Sequence, residues 1–486
     1  MAGSAPGCRS PSQLRGRHDP RSGRLKPRRA ACRAPRSARR GPVRSLDSRS
    51  GPPDVTATRA LFALQRMGIT PGLERIAALL DRLGQPQSAF EAVLVAGTNG
   101  KGSTSAHLAA MLEAAGRSVG RFTSPHLTQP GERVVVNGIP LEPEAFEEAA
   151  SRILAHAEWV GASFFEAVTA LALRHFAERA VEVAVLEVGL GGRYDATNVV
   201  HPVASAITSI SLDHQAILGT DEATIAGEKA GILRAGVPAW TSATGPALDR
   251  LRDHATAIDA PLRVLGRDHD AEVEARARGW RGSEVVVKRP GRPDLPFATP
   301  IVGAHQARNA ALAALVALDL GGSYEAVATG AARTSWPGRL ERVEHPRGVV
   351  VLDGAHNPAA AAALASTLRT LGVRPVGVLG VSQEKDVAGI LEALLPQLGG
   401  WYATRAVHSP RALDPERLAA VGASLGHPPA GVDPEPHRAL AEAQQAASAA
   451  AGAAAPLTLI AGSLFLVGEL RADLLGEDSV DLERWQ

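Results

Sequence analysis

Short apolar runs that alternate with amphipathic stretches are the feature that most restricts how this chain can fold. In the first half these runs are AVLVAG, ending at Gly97, then VEVAVLEVG, VASAITSI and VPAWTS. Short runs that are apolar throughout are typical of strands covered on both faces, and helices between such strands make right-handed crossovers. The pattern therefore predicts an α/β fold built on a parallel sheet.

A second alternation begins near Arg339, with apolar runs in GVVVLDGAHNP, PVGVLGV, GWYATRAV and LTLIAGSL. Between the two series, residues 245–300 contain RVLGRDHDAEVEA and SEVVVKR, which predict a small antiparallel addition. A domain boundary is predicted near residues 330–338, around TSWPGR. We therefore expect three parts: a disordered Arg/Pro-rich tail over 1–52, a central domain over 53–333 and a smaller C-terminal α/β domain over 334–486.

The first 50 residues have a composition unlike the rest of the chain. They hold thirteen arginines and one lysine against two aspartates, and almost no large apolar residues. Such a segment buries too little surface to offset the entropy of ordering, which predicts disorder. A transit peptide, a nucleic-acid arm and upstream sequence translated from an early start codon are the alternatives. Repeated prolines argue against an amphipathic targeting helix.

The rest of the chain is acidic and free of cysteine. Of the 52 basic and 50 acidic residues, 38 basic and 48 acidic ones lie beyond residue 50, which argues against a nucleic-acid-binding protein. Cys8 and Cys32 both lie in the tail, so a disulfide or thiolate metal site elsewhere is excluded. No apolar run is of membrane-spanning length. We expect a cytoplasmic protein with neither a nucleic-acid nor a membrane partner.

The stretch VLVAGTNGKGSTSAHLAAML, residues 93–112, contains the strongest functional signal. An apolar run leads into a glycine loop that carries Lys101 and Ser103, and a helical pattern follows. Successive glycine N–H groups and a helix N-terminus bind phosphate, and a lysine can reach the terminal phosphates. The spacing differs from the usual G-x-x-x-x-G-K-[ST], because Gly102 separates Lys101 from the hydroxyl residue. A tight strand–helix turn without a ligand is the alternative.

Residues of unusual type also follow or end other apolar runs, and ligands collect at strand ends in open parallel sheets. Glu187 lies inside an apolar run, where a carboxylate needs a cation; Mg²⁺ or a structural Arg193 would supply one. His214 follows another strand and is either a ligand or structural. Lys229 lies on a predicted helix, where the sequence alone indicates a surface lysine.

In the C-terminal half, Asp353 ends a predicted strand, and His356 and Asn357 lie in the loop behind it. The Asp353 carboxylate could hold a ribose hydroxyl or cap the next helix. No G-x-G-x-x-G motif follows a strand in this half, so a dinucleotide site is not indicated.

The chain resembles the folylpolyglutamate synthase and dihydrofolate synthase family, a branch of the Mur ligase superfamily, over roughly residues 60–470. The resemblance is carried, in this order, by GTNGKGS, TSPHL, ERVVVNG, FFEAVTALAL, LEVGLGGRYDATN, SISLDHQAILG, EKAGI, HQARNAALA, PGRLE and LDGAHNP. GTNGKGS is that family's own phosphate loop. The fold it implies is a P-loop Mur-ligase-type ATPase domain with a parallel sheet, followed by a smaller Rossmann-like α/β domain.

The resemblance also implies an activity: an ATP-dependent ligase that adds L-glutamate to a folate or to dihydropteroate. The γ-phosphate of ATP passes to a substrate carboxylate, and the amine of L-glutamate attacks the acyl phosphate. The implied cofactors are ATP, two Mg²⁺ ions and a carbamylated lysine at Lys229. The implied partners are these small-molecule substrates alone, and we expect a monomer.

The family's functional residues match positions of this chain one by one. Those matching ATP contacts are Thr98, Asn99, Gly100, Lys101, Gly102, Ser103, Asn309, Arg339 and Asp353. Those matching magnesium ligands are Ser124, Glu187 and His214. Lys229 and His356 match catalytic positions. Those matching the pterin side are Gly72, Ser163, Phe164, Phe165, Glu166, Tyr194, Asp195 and Ala196.

Two stretches differ from the family pattern: Pro130-Gly131 in HLTQPGERV and Thr70-Pro71-Gly72 near the pterin-binding loop. The second bears on the dihydropteroate activity and not on the ligase chemistry. A ligase of cell-wall peptides or cyanophycin-like polymers is an alternative, which LDGAHNP disfavours. A non-catalytic ATP-binding regulator is another, and it would be expected to lack Lys101, Glu187 or Lys229.

Overall fold

The largest sheet is mainly parallel, as predicted, and the glycine loop follows one of its central strands. In the computed structural model the described residues are 56–64, 72–267, 269–451 and 455–477. The strands of the main sheet are β1 (Glu91–Ala96), β2 (Val119–Phe122), β3 (Val134–Val136), β4 (Ile139–Pro140), β5 (Val183–Glu187), β6 (Pro202–Ile207), β7 (Ala239–Thr241) and β8 (Leu262–Val264). Their order is β4-β3-β2-β5-β1-β6-β7-β8, with β3 and β4 antiparallel and the others parallel.

Two further sheets complete the described strands. A three-stranded antiparallel sheet consists of β9 (Glu272–Ala277), β10 (Ser283–Lys288) and β11 (Leu295–Thr299). A six-stranded sheet in the order β12-β13-β17-β14-β15-β16 consists of β12 (Glu341–His345), β13 (Gly348–Leu352), β14 (Val376–Leu379), β15 (Gly400–Ala403), β16 (Gly431–Val432) and β17 (Leu457–Ala461). In the last sheet only β12 is antiparallel to its neighbour.

Helices cover the sheets between these strands. They are α1 (Ala57–Ala63), α2 (Glu74–Arg82), α3 (Lys101–Ala114), α4 (Pro143–Val160), α5 (Phe164–Glu178), α6 (Gln215–Leu218), α7 (Glu222–Lys229), α8 (Gly245–Ala257), α9 (Ala304–Asp319), α10 (Tyr324–Arg333), α11 (Pro358–Leu371), α12 (Val387–Leu394), α13 (Pro415–Ser424), α14 (Pro436–Ala450) and α15 (Leu464–Leu475). None of the described helices is long and apolar enough to cross a bilayer.

The central strand β1 is buried on both faces, which explains its continuous apolar run. Val93 and Val95 pack with α3 and the alanine-rich α9 in one core cluster, whereas Leu94 and Ala96 pack with α5 in another. Successive side chains of a strand point to opposite faces, so a strand between two helical layers has no polar face. This double cover fixes β1 and the loop that follows it.

The sequence pattern was wrong or silent in four places. Residues 262–264 form β8, a parallel edge strand of the main sheet, and not part of the antiparallel addition, which begins at β9. The strands β2–β4 were not predicted, because VGRF contains glycine and arginine and the hairpin is short. Strands β12 and β16 were likewise missed. The predicted tail over 1–52, with Cys8 and Cys32, lies outside the described residues.

A buried histidine connects α3 to the three-stranded sheet. The His107 Nδ1–H donates to the Ser103 carbonyl at 2.8 Å, and Nε2 accepts from the Thr299 hydroxyl at 2.9 Å. Burial lowers the pKa of His107 to about 4, although the bond to Ser103 opposes this shift. The neutral ring therefore holds the first turn of α3 against β11.

Stability should depend on pH through His107. His107 binds a proton below about pH 6.5 in the unfolded chain but only near pH 4 in the folded chain. The contribution of His107 to the free energy of unfolding is therefore complete above pH 6.5 and is lost as the pH falls towards 4. The full difference is about 3 kcal/mol. We expect His107→Gln to reduce the slope of the urea-derived unfolding free energy between these pH values, and His356, whose pKa is lowered likewise, to keep part of it. His408→Gln, at an exposed loop position, is the control and should keep the wild-type slope.

Candidate active site

The glycine loop joins the carboxyl end of β1 to the N-terminus of α3. Gly100 is the residue before α3 and has φ 92°, and Gly97 has φ 145°, both in the region that favours glycine. The backbone N–H of Thr98 donates to the Ser209 carbonyl at 2.8 Å, which ties the loop to the segment after β6. The N–H groups at the start of α3 are thus oriented for an anion.

Side chains from other elements press against this loop from several directions. A Cβ atom on Gly97 would lie 1.7 Å from Thr208 Oγ1, and one on Gly100 would lie 2.4 Å from Asn309 Oδ1. A Cβ atom on Gly102 would lie 2.4 Å from Trp336 Cζ2. The glycines are therefore required by close packing as well as by backbone conformation. The predicted ATP residues 98–103 and Asn309 are brought together here.

Glu187 ends β5 beside the loop, and its register partner on β1 is Val95. Its side chain is buried and accepts the Ser124 backbone N–H at 3.2 Å. Burial raises the pKa of Glu187, and the charges of Lys101, Arg339 and Arg121 oppose that shift. The alternative partner Arg193 instead lies 3.7 Å from Glu228. Glu187 thus faces the loop rather than a structural ion pair with Arg193.

Lys229, the last residue of α7, lies under the loop and not on the surface. It retains 4% of its exposure, and Nζ donates to the Gly97 carbonyl at 2.8 Å. Burial first, and the nearby charge of Lys101 second, lower the pKa of Lys229 to about 7. A substantial fraction of this amine is therefore unprotonated near neutral pH. The surface position indicated by the sequence alone was wrong.

The three predicted magnesium ligands are not equally placed. Ser124 contacts Glu187 through its backbone N–H, and a serine hydroxyl together with a carboxylate is a set of ligands suited to Mg²⁺. His214 is exposed at the start of α6, with φ 49°. The structure records no hydrogen bond or ion pair between His214 and Glu187. Among the described residues no three His, Cys, Asp or Glu side chains are grouped as a metal site.

Arg339 and Asp353 are residues that the C-terminal half contributes to the site. Asp353 Oδ2 accepts the Leu340 N–H at 3.0 Å, and Oδ1 accepts the Ala355 N–H at 2.9 Å. Burial raises the pKa of Asp353, and Arg339 opposes the shift. Asp353 does not cap α11, because Asn357 does so through the Ala360 N–H. A cavity of about 520 Å³ reaches from Gly102 and Glu187 to Arg339.

The predicted pterin-side residues come together at the start of α5. Ser163 and Glu166 form a capping box, and Arg75 Nε lies 3.1 Å from Glu166 Oε2. Phe164 packs on Phe62 with ring centroids 4.5 Å apart. Gly189 packs against Phe165, because a Cβ atom on Gly189 would lie 2.5 Å from the Phe165 ring. This contact places the loop that leads to Asp195 beside the start of α5.

Most of these pterin-side side chains have structural partners. Asp195 accepts hydrogen bonds from Leu190 and Thr197, and Ala196 is buried. Tyr194 is 55% exposed and presents its ring to solvent. Gly72 has φ 136° and lies beside Glu74, whereas Thr70 and Pro71 are outside the described residues.

Sequence analysis missed Asp213 and Lys385, which meet beside His356. Lys385 Nζ lies 2.6 Å from Asp213 Oδ1, and His356 Nε2 lies 4.0 Å from Asp213 Oδ2. Burial first, and Lys385 second, lower the pKa of His356 to about 4, so its ring is neutral. Lys385 follows β14, so the rule that ligands collect at strand ends could have identified it.

Comparison with known proteins shows which proteins this chain is similar to. Sequence profiles match the Mur ligase middle domain over residues 95–317 and the Mur ligase glutamate ligase domain over 338–464. The dihydrofolate synthase/folylpolyglutamate synthase of Bacillus subtilis is 42% identical over 320 residues, which are 63% of this chain and 73% of that protein. The chain belongs to the folylpolyglutamate synthase/dihydrofolate synthase family.

Two other members of the family define how far the similarity extends. The structure of Mycobacterium tuberculosis folylpolyglutamate synthase complexed with ADP superimposes with a TM-score of 0.79 at 34% identity, covering 87% of this chain and 100% of that one. A probable bifunctional folylpolyglutamate synthase/dihydropteroate synthase of Halobacterium salinarum is 41% identical over 85% of this chain and 51% of its own length. The chain thus spans about half the length of that relative and of its Haloferax volcanii counterpart.

Gly100 should be essential for nucleotide binding. Gly100→Ala combines an unfavourable φ with a collision against Asn309, so we expect the affinity for ADP, measured by calorimetry, to fall about tenfold or more. Gly116→Ala is the matched control, because its φ is 86° but a Cβ atom there meets nothing within 4 Å. Because Gly116 follows the C-terminal end of α3, equal losses in the two variants would show a general destabilisation of the protein and not an effect of the glycine loop.

Proposed function

We propose that this protein is an ATP-dependent ligase that adds L-glutamate to a folate, to dihydropteroate, or to both. One observation carries the proposal: a glycine loop at a helix N-terminus faces a buried carboxylate, Glu187, across from Lys101 and Arg339. The relatives bear the names of enzymes with this activity, and one of their structures is complexed with ADP. The substrates are therefore small molecules.

Phosphoryl transfer needs positioning and neutralisation of charge more than covalent catalysis. Lys101 and the α3 N-terminus would hold the β- and γ-phosphates of ATP. A substrate carboxylate oxygen attacks the γ-phosphorus, and ADP leaves with the electrons of the broken P–O bond. The amine of L-glutamate then attacks the acyl carbon, loses a proton and expels phosphate, which leaves an amide.

The residues that the C-terminal half contributes to the site support nucleotide binding. Arg339 is held near Glu187 and Asp353 and can contribute a positive charge to the phosphates. Asp353 and Asn309 are the candidates for ribose and adenine contacts. We further propose that residues 53–333 and 334–486 act as two domains that close on ATP and exclude water, which would protect the acyl phosphate from hydrolysis.

Mg²⁺ fits the donors at Ser124 and Glu187, and the proposal includes two ions with His214 as a third ligand. When bound, magnesium would neutralise phosphate charge. Glu187 supports this role because its buried carboxylate has no ion pair within the described residues and only one hydrogen bond, from a backbone N–H. His214 is exposed at the start of α6, and desolvation, helped by the charges of Lys385 and Lys101, lowers its pKa. The contribution of these charges is evidence that His214 lies near the two lysines.

The ligase reaction can be tested by the release of ADP from purified protein. We expect steady release of ADP from reactions with tetrahydrofolate or dihydropteroate only when L-glutamate is also present, because the acyl phosphate is consumed by the attack of the glutamate amine. Four parallel reactions, each folate substrate with and without L-glutamate, separate the two activities. A fifth reaction contains ATP and L-glutamate but neither folate substrate, and an equal rate of ADP release there would contradict the proposal.

Lys229 is proposed to act as a carbamate. Its neutral amine adds CO₂ to give Lys–NH–COO⁻ and a proton, which replaces a cation by an anionic oxygen ligand for a metal. The pKa of about 7 supports this, because only the unprotonated amine reacts with CO₂. His356 is proposed as a second catalytic residue: Nδ1–H donates to the Gly354 carbonyl at 2.7 Å, which leaves Nε2 as an acceptor.

Substitutions of Lys229 distinguish a carbamate from a cation. We expect Lys229→Ala and Lys229→Arg to lose about a hundredfold or more in turnover, since neither forms the carbamate. Short carboxylic acids should partly restore Lys229→Ala. Protein equilibrated with ¹³C-bicarbonate should show a carbamate resonance that is missing in Lys229→Arg. Near-normal turnover of Lys229→Arg would refute the carbamate.

A further inference from the structure

The carboxylate of Asp213 lies between the main sheet and the six-stranded sheet and is saturated with donors. Lys385 Nζ lies 2.6 Å from Oδ1, and Asn357 Nδ2 lies 3.0 Å from Oδ2. The side chains of Asp213 and Lys385 are only 9% and 10% exposed. The pair is largely withdrawn from water, in contrast to the exposed pair Lys288–Glu274, whose side chains are 43% and 58% exposed.

The two halves of this contact come from different sheets. Asp213 follows β6 of the main sheet, whereas Asn357 follows β13 and Lys385 follows β14 of the six-stranded sheet. Lys385 is 172 residues from Asp213 along the chain. Local chain geometry cannot impose a contact over this separation, so it exists only when the two sheets have this relative position.

Asn357 extends the contact to the glycine loop. Its amide nitrogen donates to Asn99 Oδ1 at 3.0 Å, and the Asn99 amide nitrogen donates back to Asn357 Oδ1 at 3.2 Å. Asn99 also donates to Ser211 Oγ at 3.2 Å. A continuous series of polar contacts thus runs from Lys385 through Asp213 and Asn357 to the loop at residue 99.

The charges in this series of contacts favour one relative position of the two sheets. A buried ion pair gains little over water when complete, but a buried charge that has lost its partner is strongly unfavourable. The neighbouring rings do not replace Lys385: His356 Nε2 lies 4.0 Å from Asp213 Oδ2, beyond hydrogen-bond distance, and His214 reaches Asp213 through its backbone N–H. Lys385 is therefore the cation that pairs with Asp213 when the two sheets have this relative position.

We propose that Lys385 is a positioning residue for the ligase reaction. Its ammonium fixes Asp213, and through Asn357 it holds Asn99 of the glycine loop, so the nucleotide site is complete only when the two sheets are together. Lys385 contacts no reacting atom in this scheme. The kinetic consequence rests on the proposed ligase function, whereas the structural consequence does not.

The test compares Lys385→Met, Asp213→Asn and the double variant by small-angle scattering with a non-hydrolysable ATP analogue. Lys385→Met leaves a buried, unpaired carboxylate, so we expect a larger radius of gyration than for the wild type. The double variant removes both charges and keeps an acceptor oxygen at residue 213, so we expect most of the compaction to return. Lys288→Met is the matched control and should behave as the wild type.

Turnover gives a second measurement. We expect Lys385→Met to lose about tenfold in kcat with little change in the KM for L-glutamate, and the double variant to recover most of that loss. Circular dichroism and melting curves check that each variant folds. If Lys385→Met does not fold, Asp213→Asn and the double variant are compared with the wild type instead.

Several results would overturn the inference. Unchanged scattering and turnover in Lys385→Met would show that the ion pair does not control the arrangement. A double variant no better than Lys385→Met, or a raised KM for L-glutamate in both, would make Lys385 a substrate contact instead. Absence of ligase turnover in the wild type would contradict the proposed function but leave the scattering comparison valid.

Discussion

The backbone of residues 97–103 is packed so closely on several sides that its glycines cannot be replaced without displacing neighbours. Thr208 after β6, Asn309 on α9 and Trp336 in the segment before β12 each lie where a Cβ atom would stand. The loop therefore takes its shape from elements that are far apart in sequence. That shape fixes the direction of the N–H groups at the start of α3, on which anion binding depends.

Charge is concentrated where this packing excludes water. Lys101, Lys229 and Arg339 converge on the loop, and Glu187 and Asp353 oppose them. Burial raises the pKa of both carboxyl groups and lowers the pKa of Lys229, so each group loses part of its usual preference for the charged form. A bound polyphosphate would supply negative charge near the lysines and Arg339, and its metal ion would supply positive charge near the carboxyl groups. The close packing of the loop is therefore suited to binding a nucleotide.

The C-terminal sheet belongs to the same site because polar side chains cross the interface at the loop. The paired amides of Asn99 and Asn357, with Asp213 behind them, connect the phosphate loop directly to the loop after β13. Arg339, which lies just before β12, and Asp353, which directly follows β13, reach the same region. Neither sheet alone contains all the groups that we propose to surround the nucleotide.

The sequence by itself determined the parallel α/β class, the strand–loop–helix unit at residues 91–114 and the position of Glu187, because apolar runs and glycine loops are local signals. It also gave the family through motifs that cover most of the chain. Only the tertiary structure decided that Lys229 is buried under Gly97 and that Lys385 meets Asp213. Those contacts depend on strand order and on the packing of sheets over long separations, for which a single residue in a loop or helix carries no local signature.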